Sequence, residues 1–243
     1  MKKIIYIFLI TILFSSFIFC DEASQLKEIT AAVDELHEFT NYLIDFEITI
    51  MKGDEPTDKM SGLCLFKSFN ENILVIKSPE KEKGKAVLQK DALYYIYFPS
   101  IKKTQPVNAS SKLFGDVNSS DVLKPPFKEN YTSEYVGEKD NIVTVQFNAT
   151  TEKVPYKKQI VYFNNKTKEI TYIEYYSKSD KLLKTAYYQK YEQFSDGKKH
   201  LVEIKIVSVL GQSTFLKFLK HKKMNFSNNY FTPSGLNIAA ESF

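Results

Sequence analysis

GKAVLQKDALYYIYFPSIKKTQPVNASSKLFGDVNSSDVLK, residues 84–124, joins two apolar strands to a basic pair and a polar loop. Residues 93–98 are apolar or aromatic at every position, so a strand here would present apolar side chains on both faces. A sheet with one face in water alternates apolar and polar residues instead. The stretch therefore predicts a strand that is covered on both sides.

Short strands separated by turn residues extend from this stretch in both directions. The period becomes two from Asp45 onward, and Glu80–Lys83, Asn164-Asn165 and Asp196-Gly197 provide turns. Short gaps favour hairpins, so we predict one curved antiparallel sheet, mainly β in class, that curls into an incomplete barrel. The predicted strands are 46–50, 60–67, 72–78, 84–90, 92–98, 103–108, 130–137, 141–148, 156–163, 169–177, 181–193, 200–210 and 214–220.

Two segments are predicted to be helical. Over residues 24–43, the apolar residues Leu26, Ile29, Val33 and Leu36 recur at helical spacing among charged residues. A shorter helix is expected after Ser119-Ser120-Asp121, where Val122 and Leu123 follow the capping residues and Pro125-Pro126 stops the helix. Both helices have an apolar side that must pack on the sheet.

Several strands are apolar in both phases, and two interpretations of them remain open. The residues around Cys64, residues 73–76 and residues 93–98 all show this pattern. One interpretation is a sheet that packs on a helix on one side and on a partner or an aromatic belt on the other. The other is a cavity for an apolar ligand, as curled antiparallel sheets often hold.

The charge distribution argues against nucleic acid as a partner. The full chain carries a formal charge of +4, which falls to +2 once Lys2 and Lys3 leave with the N-terminal segment. Every basic residue is lysine, and the chain lacks arginine, the preferred fork for phosphates and bases.

The N-terminus has the pattern of an export signal. Lys2 and Lys3 precede an apolar run, and small residues follow near Cys20, so residues 1–20 are expected to be a signal peptide. The expected compartment is the periplasm, although Cys20 could instead become a lipid-anchored first residue. Cys64 would then have no disulfide partner, and its apolar strand predicts a small buried side chain. Residues 21–243 are expected to form a single domain.

The sequence offers no convergent catalytic or metal-binding group. His37, His200 and His221 are scattered and lack cysteine or aspartate at ligand spacing, and no nucleophile elbow or phosphate loop is found. We therefore predict that the protein is not an enzyme, with no catalytic residue, metal or cofactor.

Residues 84–124 resemble the LolA-like outer-membrane lipoprotein-sorting proteins. The resemblance rests on the Gly84–Leu88 strand, the aromatic strand ending at Pro99, Lys102-Lys103, and the short helix from Ser119 to Leu123. Residues 223–236 also resemble the closing strand of that family. The resemblance implies a half-closed barrel with a helical lid over a hydrophobic cavity. The same scaffold serves RseB-type envelope-stress sensors and LppX-type lipid-binding lipoproteins, which remain non-enzymatic alternatives.

As implied by the resemblance, the protein would be a monomeric periplasmic carrier for the acyl chains of lipoproteins. Its partners would be an inner-membrane ABC extractor and an outer-membrane acceptor. The family holds its lid closed with an arginine near the third strand, where this chain offers only Lys67 as a candidate. The predicted cavity wall comprises Ile48, Ile50, Leu63, Leu65, Leu74, Ile76, Tyr94 and Ile96. The predicted lid residues are Leu26, Ile29, Val33, Leu36, Val122 and Leu123.

Overall fold

The computed structural model describes residues 22–36, 39–114, 117–123 and 127–243. The expected signal peptide and Cys20 lie outside these residues. Among the residues that are described, no helix is both long and apolar enough to cross a bilayer.

One curved antiparallel sheet of 13 strands dominates the structure and does not close into a barrel, which confirms the predicted fold class. The strand order is β6-β5-β4-β3-β2-β1-β15-β14-β13-β12-β11-β10-β9, and β7 and β8 form a separate pair. The strands are β1 (Tyr42–Lys52), β2 (Glu55–Ser68), β3 (Glu71–Ser78), β4 (Ala86–Lys90), β5 (Leu93–Phe98), β6 (Lys103–Val107), β7 (Lys112–Phe114), β8 (Val117–Asn118), β9 (Tyr131–Lys139), β10 (Ile142–Ala149), β11 (Lys158–Asn164), β12 (Glu169–Tyr176), β13 (Leu182–Gln193), β14 (Lys199–Ser208) and β15 (Ser213–Lys223).

The helices differ from the prediction at both ends of the chain. Helix α1 covers residues 22–35, so the predicted end at residue 43 was wrong, because Tyr42 and Leu43 already belong to β1. The segment expected to be a closing strand instead forms a 3₁₀ turn (Asn228–Phe231) followed by α4 (Leu236–Ser242). The remaining helices are α2 (Ser119–Val122) and α3 (Phe127–Asn130).

The face of the sheet that contacts α1 is called the inner face, and it carries the larger core. Ile29 and Val33 of α1 are buried against inner-face residues such as Ile44, Ile48 and Cys64. The predicted burial of Cys64 is confirmed. Phe39, just after α1, contacts the rings of Phe66, Phe194, His200 and Phe218, which fixes the end of the helix.

The opposite, outer face of β2–β5 carries a second core, which the C-terminal segment covers. Phe231, Leu236 and Ala239 are fully buried there against Leu65, Ile73 and the neighbouring apolar residues Val75, Ala86, Leu88 and Tyr97. The strands that are apolar in both phases are therefore covered on both sides by their own chain. This arrangement explains the apolar pattern of residues 94–98, whereas Leu93 at the start of β5 is 51% exposed.

Candidate lipid-binding site and its lid

Six of the predicted wall residues lie on the inner face of the sheet. Leu74, Ile76, Tyr94 and Ile96 belong to the inner-face core together with Ile48. Ile50 is buried two residues further along β1, in the same phase as Ile48. The structure thus brings these predicted residues together on the side where α1 lies.

Leu63 and Leu65 were assigned to the wrong face. Both lie in the outer-face core, while Cys64 and Phe66 of the same strand face α1. Cys64 pairs with Ile44 on one side and Leu74 on the other, and directly paired residues share a face. Because β2 is apolar in both phases, its sequence pattern does not indicate which residues point to the inner face. A shift of one residue moves every side chain of the strand to the opposite face.

The predicted lid residues pack directly on the inner face. Ile29, Val33 and Leu36 of α1 are buried, as are Val122 and Leu123 at the end of α2. Leu26 is partly buried against the same core. The predicted lid residues therefore belong to the same core as most of the predicted wall residues.

An apolar groove of about 550 Å³ runs along one flank of α1. It lies between the helix, the β2–β3 turn and the start of β9, and its volume is within the range of ligand pockets. Its lining includes Leu26, Thr30, Ala31, Phe69 and Ser133, together with the charged residues Lys27, Asp34, Glu35 and Lys128. Of the predicted residues, only Leu26 lines this groove.

Lys67 does not hold the lid in this structure. Its ammonium group pairs with Glu71 and lies 5.3 Å from the centre of the Phe231 ring. Glu71 also pairs with Lys90 at 3.1 Å. These contacts join the β2–β3 hairpin to the C-terminal segment. The candidate role of Lys67 in lid control is therefore not supported by its position.

A buried ion pair ties α2 to the sheet instead. Lys184 Nζ of β13 donates to Asp121 Oδ2 at 2.5 Å, and both side chains are about 5 % exposed or less. The Tyr156 hydroxyl donates to Asp121 Oδ1 at 2.8 Å, and the Asn118 backbone N–H donates to Oδ2 at 2.7 Å. Hydrogen bonds of this kind offset the cost of burying two charges.

Tyrosine hydroxyls complete this buried polar cluster. Tyr94 donates to the carbonyl oxygen of Leu123 at 2.5 Å, and the hydroxyls of Tyr175 and Tyr188 lie 3.1 Å apart. Burial raises the pKa of Tyr94 and of Tyr156 well above the usual value, so both hydroxyls stay protonated and can donate. The cluster therefore holds the α2 segment against the inner face through directional contacts.

Asp34 joins α1 to α3. Its carboxylate accepts the backbone N–H of Phe127 at 2.7 Å and that of Lys128 at 3.3 Å. Burial raises the pKa of Asp34, although the two N–H groups oppose this shift by stabilising the charged form. Asp34 thus links α1 to α3, and Asp121 links α2 to the sheet.

One feature of the sequence indicates a buried partner for Lys184. Lys184 occupies a position in Leu182–Tyr188 where the alternation calls for an apolar residue, so an inward-facing lysine needs a buried partner. Asp121 had been assigned only to the start of the short helix. Lys184 and Asp121 lie 63 residues apart in the chain, so local sequence patterns do not reveal that they pair.

His200 is packed among aromatic residues of the inner-face core. Its ring is buried, stacks on Phe39 with centroids 4.7 Å apart, and its Nε2 lies 3.0 Å from Asp196 Oδ2. Within the described ranges, no cluster of histidine, cysteine and acidic residues could hold a metal ion.

Comparisons with known proteins assign this architecture to the LolA-like fold. A LolA superfamily protein from Nitrosomonas europaea superimposes with a TM-score of 0.76 at 22% identity, covering 85% of this chain and 97% of that one. A putative outer membrane lipoprotein-sorting protein domain from Vibrio parahaemolyticus gives 0.74 at 18% identity, covering 87% and 97%. A DUF1329 family protein from Desulfovibrio piger gives 0.74 at 16% identity, covering 86% and 97%.

The sequence comparison identifies the family of the chain. A family model described as an uncharacterized protein matches residues 69–237, and the chain belongs to that family. A search of curated proteins found no match. The predicted resemblance to the LolA-like group is confirmed in the fold.

Proposed function

We propose that this protein is a non-enzymatic periplasmic carrier that shields the acyl chains of lipoproteins between the inner and the outer membrane. In this proposal, residues 1–20 direct export and residues 21–243 act as one LolA-like domain. An inner-membrane ABC extractor would load the carrier, and an outer-membrane acceptor would unload it. The LolA-like fold and the closed apolar lid support the proposal.

The observation that carries the proposal is the apolar groove of about 550 Å³ beside a helix whose apolar side packs on the inner-face core. Each methylene group withdrawn from water contributes about 0.8 kcal/mol, so a lipid chain needs such a shield to cross an aqueous space. Displacement of α1 would join the groove to the inner-face residues Leu74, Ile76 and Ile96. A lid that separates from the sheet allows release as well as binding.

Titration with a fluorescent fatty-acid analogue tests the proposal on the mature protein. We expect Ala31→Trp, which fills the groove, to weaken binding about tenfold or more, equivalent to about 1.4 kcal/mol. Ala23→Trp is the matched control, because residue 23 is an exposed position of the same helix outside the groove lining. The proposal is wrong if the folded wild-type protein takes up no analogue.

The same assay examines the predicted wall. Leu74→Glu and Ile76→Glu should weaken uptake if the inner face opens to receive the chain, provided that circular dichroism shows a retained fold. Lipid that co-purifies from the native envelope, identified by mass spectrometry, would name the cargo.

A further inference from the structure

The turns at the two ends of the sheet differ in chemistry. One end, here named the aliphatic rim, comprises residues 53–54, 79–85, 99–102, 150–157, 177–181 and 209–212. Neighbouring strands of the sheet alternate in direction, with Met51 paired to Ser213, Lys184 to Ser208 and Phe98 to Lys103, so the turns of this set lie at a common end of the sheet. The opposite rim comprises residues 69–70, 91–92, 140–141, 165–168 and 194–198.

Two turns of the aliphatic rim expose large aliphatic side chains. Leu210 is 87% exposed and Val209 is 58% exposed at the tip of the β14–β15 hairpin, and Ile101 is 54% exposed at the β5–β6 turn. Turn tips ordinarily carry Gly, Asn, Asp or Ser, since these residues satisfy local backbone geometry. On the opposite rim, Asp91 and the Asp140-Asn141 pair follow that rule with positive φ. Turn formation therefore does not explain the aliphatic tips.

The turns of the aliphatic rim also carry more positive than negative charge. Its turns contain eight lysines and five acidic residues, whereas the turns of the opposite rim contain three of each. Lys102 and Lys103 directly follow the exposed Ile101, with no acidic residue in that turn. Aliphatic tips next to lysines match the interface of a bilayer, where acyl chains lie beneath phosphate groups.

We propose that the aliphatic rim docks the protein on the surface of an anionic lipid bilayer. Leu210, Val209 and Ile101 enter the boundary between headgroups and acyl chains, and the rim lysines lie beside the lipid phosphates. Each contribution is weak alone, and together they give reversible attachment. Helix α1 contacts the opposite rim, where Glu28 pairs with Lys168 at 3.0 Å, so a docked molecule keeps its lid in the aqueous space.

Flotation with vesicles tests the docking surface. The mature protein is mixed with vesicles of phosphatidylcholine alone or with added phosphatidylglycerol, and the bound fraction is measured. We expect binding to the anionic vesicles, which Leu210→Ser combined with Ile101→Ser reduces about tenfold or more. Lys102→Glu combined with Lys103→Glu should reduce it about tenfold as well, and added salt should weaken wild-type binding.

Matched controls come from the opposite end of the molecule. Leu93→Ser removes a leucine that is 51% exposed near the opposite rim, and Lys166→Glu combined with Lys222→Glu makes the same charge change away from the aliphatic rim. Both controls should bind like the wild type. Equal loss in the controls, or no binding of the wild type to anionic vesicles, overturns the inference.

This inference stands apart from the carrier proposal. The rim variants should retain uptake of the fatty-acid analogue, because none of the substituted residues lines the groove beside α1. Failure of acyl binding with intact vesicle docking would refute the carrier proposal alone. Intact acyl binding without binding to vesicles would refute the inference that the aliphatic rim docks on a bilayer.

Discussion

The two halves of the sheet are covered differently. Strands β2–β5 are covered on the inner face by α1 and α2 and on the outer face by the C-terminal segment. Strands β10–β14 contribute inner-face residues to the same large core, but their outer face lies in water. A row of tyrosines crosses that open face, with Tyr162 and Tyr172 stacked at 3.9 Å and Tyr187 at 5.7 Å from Tyr172 and 43% exposed.

The sequence patterns of the two halves follow from this difference. Strands β10 and β11 alternate buried and half-buried residues, as expected for a sheet with one wet face. Strand β3 has five consecutive buried residues, Asn72–Ile76, because both of its faces are covered. An apolar pattern in both phases here signals a second layer formed by the same chain, which is distinct from a ligand cavity.

Removal of an aromatic side chain from each half of the sheet should show the largest difference in stability between the two halves. Phe231→Ala removes a fully buried ring from the outer-face core and should lower the free energy of unfolding by about 3–5 kcal/mol. Tyr187→Ala on the open half should cost about 1 kcal/mol or less. Urea unfolding followed by circular dichroism measures both, and similar losses for the two variants would contradict the assignment of a covered and an open half.

Loss of the buried ion pair, which links α2 to the open half, is the next largest expected effect. Asp121→Ala should destabilise the protein by about 3 kcal/mol, because it leaves the Lys184 ammonium buried without its carboxylate. Asp121→Ala combined with Lys184→Met should recover most of this loss. If the double variant is as unstable as the single variant, the pair is not the source of the effect.

Gly62 tests how closely β2 and β3 must approach in the covered half. A Cβ atom at this position would lie 2.0 Å from the backbone oxygen of Val75 and 2.7 Å from Phe46 Cε1. Gly62→Ala should therefore destabilise the protein by about 1–3 kcal/mol, whereas Ser61→Ala beside it should change stability little. Equal stability of the two variants in urea would show that the strands can separate at this point.

Substitution of Asp34 should have the smallest effect on the free energy of unfolding, and this effect should depend on pH. Its pKa is raised above 3.8 in the folded protein, so its contribution favours folding at low pH and is lost as pH rises through the folded-state pKa. Asp34→Asn should remove that part of the pH dependence. Urea midpoints from about pH 3 to pH 7 measure it, with the exposed Asp58→Asn as control. An unchanged pH profile in Asp34→Asn would contradict the assignment.

Most of the sheet could be predicted from the sequence, because alternation and turn residues act locally. The predicted strands agree with β1–β6 and β9–β15 to within a few residues at most ends. Helix α1 was predicted to be too long, since apolar residues continue past residue 36 into β1. The C-terminal helix was missed, because Phe231-Thr232-Pro233 was compared with a strand of the resembled family.

The candidate site was predicted less completely. Ile48, Leu74 and Ile96 were placed on the correct face, whereas Leu63 and Leu65 were not, because a strand apolar in both phases carries no information on phase. The groove beside α1 was not predicted, since its lining combines residues from a helix, a hairpin turn and an edge strand.

By itself, the sequence determined the order of hairpins, the single long amphipathic helix and the lack of a local catalytic motif, since each of these depends on neighbouring residues. Tertiary structure alone decided which face each apolar strand presents to the lid, and it placed the C-terminal segment over β2–β5. It also paired Asp121 with Lys184 and gathered Ile101 and Leu210 at one end. These features join residues far apart in the chain, and only the curvature and register of the folded sheet bring them together.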